Sequence, residues 1–226
     1  MTNSEATKWG PLFLEGLTLV RLDPGFTCYP WDVTPTEYLA FAREELRQKD
    51  ARSCINAISH AKRAIHAHVD FLLHNCGKCL RDAPFPAKLE LLERLGIVAP
   101  SILGKYNRLR NLMEHEYVTP SHEEANDVAD VAELFLKATL CYGRSLPKTL
   151  TFLPPDGRGA CTIECAWDER HISVLSCIEG IPQFGTCTIE ADKDDDLWIE
   201  WVAKILLLMQ EAEDPYTRCK DIEEKQ

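Results

Sequence analysis

The spacing of apolar residues changes once along this chain, near Pro147. Before Pro147 they recur at intervals of three and four, as in Ile58, Ala61 and Ile65, whereas between residues 161 and 167 they alternate with other residues. Intervals of three and four predict amphipathic helices, and alternation predicts half-buried strands. We therefore predict an α+β protein whose helices precede its strands.

Five helices are predicted before that change, over residues 35–49, 51–75, 87–95, 102–117 and 121–142. Thr34 and Ser121 are each followed three residues later by Glu, which is the capping-box pattern of a helix start. Gly77, Gly96 and Gly143 are expected to end three of the helices. The short loops between the helices favour a bundle in which neighbours pack antiparallel.

The last third of the chain is predicted to be a small antiparallel β-meander followed by an amphipathic helix. Strands are expected around residues 161–167, 172–178 and 186–191, and the helix is expected over residues 195–211. Turn residues lie between the strands at the spacing of hairpins.

The patterns of the sequence divide the chain into three parts. Residues 1–34 form an irregular N-terminal arm with one or two strands, residues 35–145 a helical domain, and residues 146–226 the small acidic β-meander with its C-terminal helix. Ten cysteines without a signal peptide or a transmembrane segment are typical of a reducing compartment, so a cytoplasmic location is expected.

The net charge of −11 is concentrated in the third part of the chain. The arm has 2 basic and 4 acidic residues, the helical domain 15 and 15, and the C-terminal part 8 and 17. Within the neutral helical domain, Lys105, Arg108 and Arg110 form a cationic stripe with no acidic residue between Ser101 and Met113. A stripe of this kind is suited to phosphate, although the chain as a whole is acidic.

The most specific motif is the octet Arg110–Tyr117, near the end of the fourth predicted helix. Asn follows Arg110, His115 comes five positions after Arg110, and Tyr comes two positions after His115. Arg63 and His68 have the same spacing but lack both the Asn and the Tyr.

The octet, within a predicted helical bundle over residues 35–145, resembles the HEPN family. The form Arg-x4-His-x-Tyr is similar to that of the toxins in HEPN/MNT toxin–antitoxin pairs. The resemblance implies a helical homodimer that acts on RNA as a metal-independent endoribonuclease without a cofactor, in a toxin–antitoxin or defence system. It implies a catalytic role for Arg110 and His115, a supporting role for Asn111, and a substrate or regulatory contact for Tyr117. An antitoxin or nucleotidyltransferase is the implied protein partner.

The chemistry of these residue types agrees with that reading. Histidine titrates near neutral pH, so His115 suits proton transfer at a ribose 2′-hydroxyl, and the guanidinium of Arg110 suits the charge of a phosphorane. The expected products have 2′,3′-cyclic phosphate and 5′-hydroxyl ends. On one helix Glu114 shares a face with Arg110, whereas His115 lies about 140° away, which is why two copies of the motif are expected to meet across a two-fold axis.

Other interpretations stay open at this stage. Arg110 can simply pair with Glu114 while His115 caps the helix end. A non-catalytic HEPN-like module that binds a nucleotide or a protein is the alternative function. The four histidines of the second predicted helix are interpreted as partly exposed surface residues, and Asp192–Asp196 as a solvated loop and helix N-terminus. No metal site is expected, because the Cys76 and Cys79 pair has no second pair of ligands.

Overall fold

The computed structural model of the protein describes residues 10–25, 29–78, 80, 82–97, 103, 118–177 and 185–213. Its helices are α1 (Pro35–Glu45), α2 (Ala51–Asn75), α3 (Phe85–Arg94), α4 (His122–Ala138), α5 (Leu140–Arg144) and α6 (Asp195–Glu213), after a short 3-10 helix at Pro11–Leu14. Its strands are β1 (Thr18–Pro24), β2 (Pro147–Leu153), β3 (Cys161–Ala166), β4 (His171–Ser176) and β5 (Gly185–Glu190). The predicted α+β class is confirmed, and the predicted fourth helix lies outside the described residues except for the buried Leu103.

Both predicted capping boxes are confirmed. At the start of α1, the Glu37 amide donates to Thr34 Oγ1 at 3.2 Å and the Thr34 amide donates to the Glu37 carboxylate at 2.8 Å. At the start of α4, the same two bonds join Ser121 and Glu124 at 3.1 and 2.8 Å. Each box satisfies two amides that the first turn of a helix leaves without partners, which is why so short a pattern locates the helix start.

The predicted helix over residues 121–142 is interrupted at Thr139. The hydroxyl of Thr139 donates to the Phe135 carbonyl at 2.7 Å, and α5 begins at the next residue. Gly143 was expected to stop the helix, but it lies inside α5, where a Cβ would come 2.8 Å from Phe71 Cε1. The glycine at this position therefore allows α5 to approach α2 closely.

The helices do not all pack antiparallel. α4 begins where α1 ends, because His122 Nε2 donates to the Leu46 carbonyl at 2.9 Å. Towards the other end of α2, His68 bonds to Thr139 at the end of α4. α1 is thus antiparallel to α2 and α4, as expected, but the prediction is wrong for α2 and α4, which run parallel. The long connection between α2 and α4 lets the chain return to the same end of the bundle, which a short loop does not allow.

The five strands form one antiparallel sheet in the order β1-β2-β3-β4-β5. The predicted meander is confirmed for β3, β4 and β5, whose neighbours in the sheet are neighbours in the sequence. β1 comes from the segment interpreted as an arm and pairs with β2, with Leu22 opposite Leu150. The N-terminal segment therefore supplies an edge strand to a sheet that otherwise follows residue 146.

The helices and the sheet share one cluster of buried side chains. Trp198 and Trp201 of α6 are fully buried in this cluster, and Trp198 Nε1 donates to the carbonyl of Cys76 at 2.9 Å, just beyond α2. The indole of Trp167, which follows β3, meets Trp198 edge-on at a centroid distance of 6.2 Å. α6 thus connects the helical part to the sheet. Of the described helices, none is long and apolar enough to cross a membrane.

Candidate functional site

The seven residues of the predicted ribonuclease site lie outside the residues that the structure describes. They are Lys105, Arg108, Arg110, Asn111, Glu114, His115 and Tyr117. Their distances from one another and their arrangement in a dimer therefore stay predictions. The structure does describe the helices on both sides of the segment that contains them, α3 before it and α4 after it.

The helices that precede and follow the octet lie near opposite ends of α2. α3 ends near the C-terminal end of α2, and α4 begins near its N-terminal end. α3 ends at Arg94, whose guanidinium pairs with the first turn of α6 at 2.6 Å, and α6 contacts the carbonyl of Cys76 at the C-terminal end of α2. α4 begins at His122, which bonds to Leu46 shortly before α2 begins. The segment that contains the octet therefore connects opposite ends of a 25-residue helix, roughly 37 Å long at 1.5 Å per residue.

A polar contact fixes α3, the helix that precedes this segment, against α2. Lys88 Nζ lies 2.7 Å from Asp70 Oδ1, and the lysine side chain is 8% exposed. One turn earlier, the ring of His66 stacks on Phe85 at a centroid distance of 3.9 Å. A buried ammonium needs such a carboxylate, so the pair specifies how α3 packs on α2.

His68, half of the second Arg–His pair, is a core residue. It is 3% exposed, its Nε2 lies 2.8 Å from Thr139 Oγ1, and its ring meets Phe135 edge-on. Burial lowers the pKa of His68 to about 4, so the imidazole is neutral at pH 7. The interpretation of this histidine as a surface residue is wrong, because it occupies the apolar face of α2 with Ile65 and Leu72.

The acidic run after β5 is exposed, as expected of a loop, but its carboxylates also pair with cations. The ion pairs are Asp192 with Arg170 at 2.7 Å, Asp196 with Arg94 at 2.6 Å, and Asp195 with Lys78. The Lys78 side chain is only 8% exposed, and burial lowers its pKa. Much of the excess negative charge of this loop is therefore offset within the molecule.

Arg170 joins the sheet to the helical part from a strained turn. Its φ is 59°, in the left-handed region that side chains with a Cβ rarely adopt. Its Nε donates to the Gly77 carbonyl at 3.1 Å, and its guanidinium pairs with Asp192. Contacts from two other segments compensate for the strain at this position.

The described residues contain no group of three His, Cys, Asp or Glu side chains positioned to hold a metal ion. Cys76, from the Cys pair considered above, is fully buried, and burial raises the pKa of its thiol to about 12. Cys79 lies outside the described residues.

Sequence reasoning missed a cavity between α1, α2 and α4, which His68 and Tyr29 line. The position of His68 could have been recognised, since it continues the spacing of Ile58, Ala61 and Ile65 on the buried face of α2. Tyr29 had no such signal, because it lies in an irregular segment before α1.

Comparison of the chain with protein-family models, with curated proteins and with solved structures finds no match.

Proposed function

We propose that this protein is a metal-independent endoribonuclease of the HEPN type that acts as a homodimer in the cytoplasm. The observation that carries the proposal is the octet Arg110–Tyr117, which combines a guanidinium, an amide, an imidazole and a phenol at the spacing Arg-Asn-x3-His-x-Tyr. Arg110 stabilises the charge of the phosphorane, and His115 transfers protons at the 2′-hydroxyl or the leaving 5′-oxygen.

The positions of α3 and α4, on either side of the octet, are compatible with the predicted helix between them. The segment connects the two ends of α2, and a helix over the predicted 16 residues, 102–117, covers roughly 24 Å of that length. Leu103, the described residue of this segment, is 1% exposed and belongs to the common core. At Leu103, therefore, the segment belongs to the core of the protein.

A homodimer can place an arginine and a histidine at the same phosphate, which a single copy of the motif cannot do. Arg110 and His115 project about 140° apart on one helix, so a single copy does not bring both groups to one phosphate. A two-fold axis beside the helix presents an Arg and a His from each protomer to the same groove. Lys105 and Arg108, on the same cationic stripe, bind the flanking phosphates, and Asn111 and Tyr117 support the catalytic pair.

The test is cleavage of a single-stranded RNA by the purified protein in the presence of a chelator. We expect cleavage products with 2′,3′-cyclic phosphate ends and with 5′-hydroxyls that can be phosphorylated directly. Replacement of Arg110 or His115 by Ala is expected to lower the rate by at least about a hundredfold, because the first removes a charge that stabilises the transition state and the second removes a general acid–base group.

The chain provides matched controls for both substitutions. Arg63 is an exposed arginine of α2, and His74 is an exposed histidine near the end of the same helix. Arg63→Ala and His74→Ala should leave the rate within about twofold of the parent. An RNase activity that persists unchanged in an Arg110→Ala, His115→Ala double variant would show that the site is assigned wrongly.

The alternative function is a non-catalytic HEPN-like module that binds a nucleotide or a protein. Dimerisation without any RNA cleavage by the parent protein would favour it. A toxin–antitoxin setting requires a partner that suppresses the activity, an antitoxin or nucleotidyltransferase, and co-expression with such a partner tests that part of the proposal.

A further inference from the structure

The cavity between α1, α2 and α4 has a volume of about 550 Å³. It lies between the start of α1, the C-terminal half of α2 and the end of α4, and its walls are mainly apolar. The apolar wall is formed by Pro35, Leu39, Phe71, Leu136 and Leu140. This volume is in the range of pockets that hold small organic molecules, about 300–1,000 Å³.

His68 presents a hydrogen-bond acceptor in this cavity. The Thr139 hydroxyl donates to the Phe135 carbonyl at 2.7 Å, so it accepts from His68 Nε2, and the proton of the neutral imidazole is on Nε2. Nδ1 therefore keeps a lone pair, and no residue in the described part of the chain donates to it. A hydrogen-bond donor bound in the cavity can therefore occupy this lone pair.

Tyr29 adds a second neutral polar group at the cavity. Its ring meets Phe71 and Trp31 edge-on at centroid distances of 5.1 and 5.0 Å. Burial, above all, raises the pKa of Tyr29 to about 12, so its hydroxyl stays protonated at any physiological pH.

The charged groups of the cavity are paired with each other at its rim. Lys137 Nζ lies 2.6 Å from Glu133, and the same carboxylate lies 2.7 Å from the Arg43 guanidinium. Among the described residues that line the cavity, Lys137 is the one basic side chain apart from His68, and it is paired with Glu133, while His68 is neutral. An anionic ligand would lose its hydration there without a counter-charge.

We propose that this cavity binds a neutral, mainly apolar small molecule that donates a hydrogen bond to His68. The apolar walls contribute the affinity, and the imidazole nitrogen orients the polar end of the ligand. This inference is independent of the proposed ribonuclease activity, since none of its residues belongs to the octet.

Two fluorescent probes that differ by one charge test the neutral character of the site. N-phenyl-1-naphthylamine is uncharged and has one N–H donor, and 8-anilino-1-naphthalenesulfonate has the same rings with an added sulfonate. Titrated into the full chain, the amine should bind with one site per chain and at least about tenfold more tightly than the sulfonate. Equal affinity for the two probes, or fluorescence without a defined stoichiometry, would overturn the proposal.

A matched pair of leucine variants tests the location. Leu140 lines the cavity, whereas Leu134 is 62% exposed on α4 and does not line it. Leu140→Trp should fill the cavity and lower the affinity for the amine at least about tenfold, and Leu134→Trp should leave it unchanged. Unchanged binding to Leu140→Trp would mean that the probe binds elsewhere, which contradicts the proposal.

The hydrogen bond is tested with 1-benzylnaphthalene, in which CH₂ replaces the N–H of the amine. Its affinity for the parent protein, measured by displacement of the amine, should be about tenfold lower than the affinity of the amine itself. His68→Phe keeps an aromatic ring but removes the acceptor. This variant should bind the amine and 1-benzylnaphthalene with equal affinity. Thermal unfolding of each variant establishes that it is folded, and a preference for N–H that survives in His68→Phe would show that His68 is not the acceptor.

Discussion

Gly77 and the indole of Trp198 lie so close that a Cβ on the glycine would be 2.9 Å from Trp198 Cζ2. Gly77 has a φ of 74° and ends α2, with the Lys78 amide donating to the Leu73 carbonyl at 2.8 Å. One glycine therefore serves two purposes: it terminates the longest helix, and it makes room for the tryptophan that connects this helix to α6.

Gly77→Ala is expected to destabilise the protein more than Gly96→Ala does. Both glycines follow helix ends, with φ values of 74° and 73°, but nothing lies within 4 Å of a Cβ at Gly96. The alanine at 96 should cost about 1 kcal/mol for the left-handed backbone, and the alanine at 77 about 1–3 kcal/mol more for displacing Trp198. Urea denaturation measures both, and equal losses would mean that the contact with Trp198 relaxes at no cost.

Thr139→Val should destabilise the protein by about 1–3 kcal/mol. The valine keeps the shape but removes the hydroxyl that accepts from His68 Nε2, which leaves a buried N–H without a partner. Thr119→Val, at an exposed threonine before α4, is the matched control and should change the free energy of unfolding by less than about 0.5 kcal/mol. A loss for Thr139→Val no larger than that of the control would contradict the role assigned to the bond.

The stability of the protein should fall as the pH is lowered from about 6.5 towards 4 because of His68. Its pKa is about 4 in the folded protein against an ordinary value of 6.5, so above pH 6.5 the ring is neutral in both states and the full stability is present. Between these values the unfolded chain binds a proton that the folded protein does not bind. The free energy of unfolding should therefore decrease by up to about 1.4 kcal/mol per pH unit from this residue.

Denaturation with urea between pH 5 and 7 limits the contribution of Glu37, Glu124 and Glu133, since hydrogen bonds lower their pKa values. Burial also lowers the pKa of His60, so the part due to His68 is the difference between the parent and a His68 variant. His68→Gln should show a shallower decline than the parent, and the exposed-site variant His74→Gln should show the same decline as the parent. Identical pH profiles for His68→Gln and the parent would show that His68 does not titrate as the burial predicts.

Asp195→Asn should destabilise the protein more than Asp196→Asn. Asp195 pairs with Lys78, whose side chain is 8% exposed, whereas Asp196 pairs with Arg94, which is 48% exposed. Without Asp195 a poorly hydrated ammonium loses a counter-ion, at a cost of about 1–3 kcal/mol, while an exposed pair contributes about 0–1 kcal/mol. Urea denaturation at low salt measures the difference, and a larger loss for Asp196→Asn would reverse the assignment.

The elements that were predicted correctly have short-range causes. The capping boxes at Thr34 and Ser121 involve groups three residues apart, and the buried face of α2 repeats every three or four residues. Alternation over residues 161–167 predicted one buried face for that strand, and the structure has Cys161 and Ile163 fully buried. Each of these signals lies within a single helix or strand, so it can be recognised without knowing what that element packs against.

The errors have long-range causes. The pairing of β1 with β2 joins residues more than 120 positions apart, and no local pattern specifies that register. At the break between α4 and α5, the Thr139 hydroxyl bonds to His68 of α2, 71 positions away, and the local pattern does not reveal this partner. For the candidate site, the sequence supplied the octet and its chemistry, while the distances between those residues remain predictions.

The amino-acid sequence by itself determined where most helices and strands begin, which faces are apolar and which octet has the groups for RNA cleavage, because caps, periods and motifs act over a few residues. Only the tertiary structure decided that α2 and α4 run parallel, that His68 is a neutral core residue beside a cavity, and that Asp195 neutralises a buried lysine. Those properties depend on burial and charge at contacts between segments that are distant in the sequence. A local pattern does not specify which of those segments will pack against a given helix or strand.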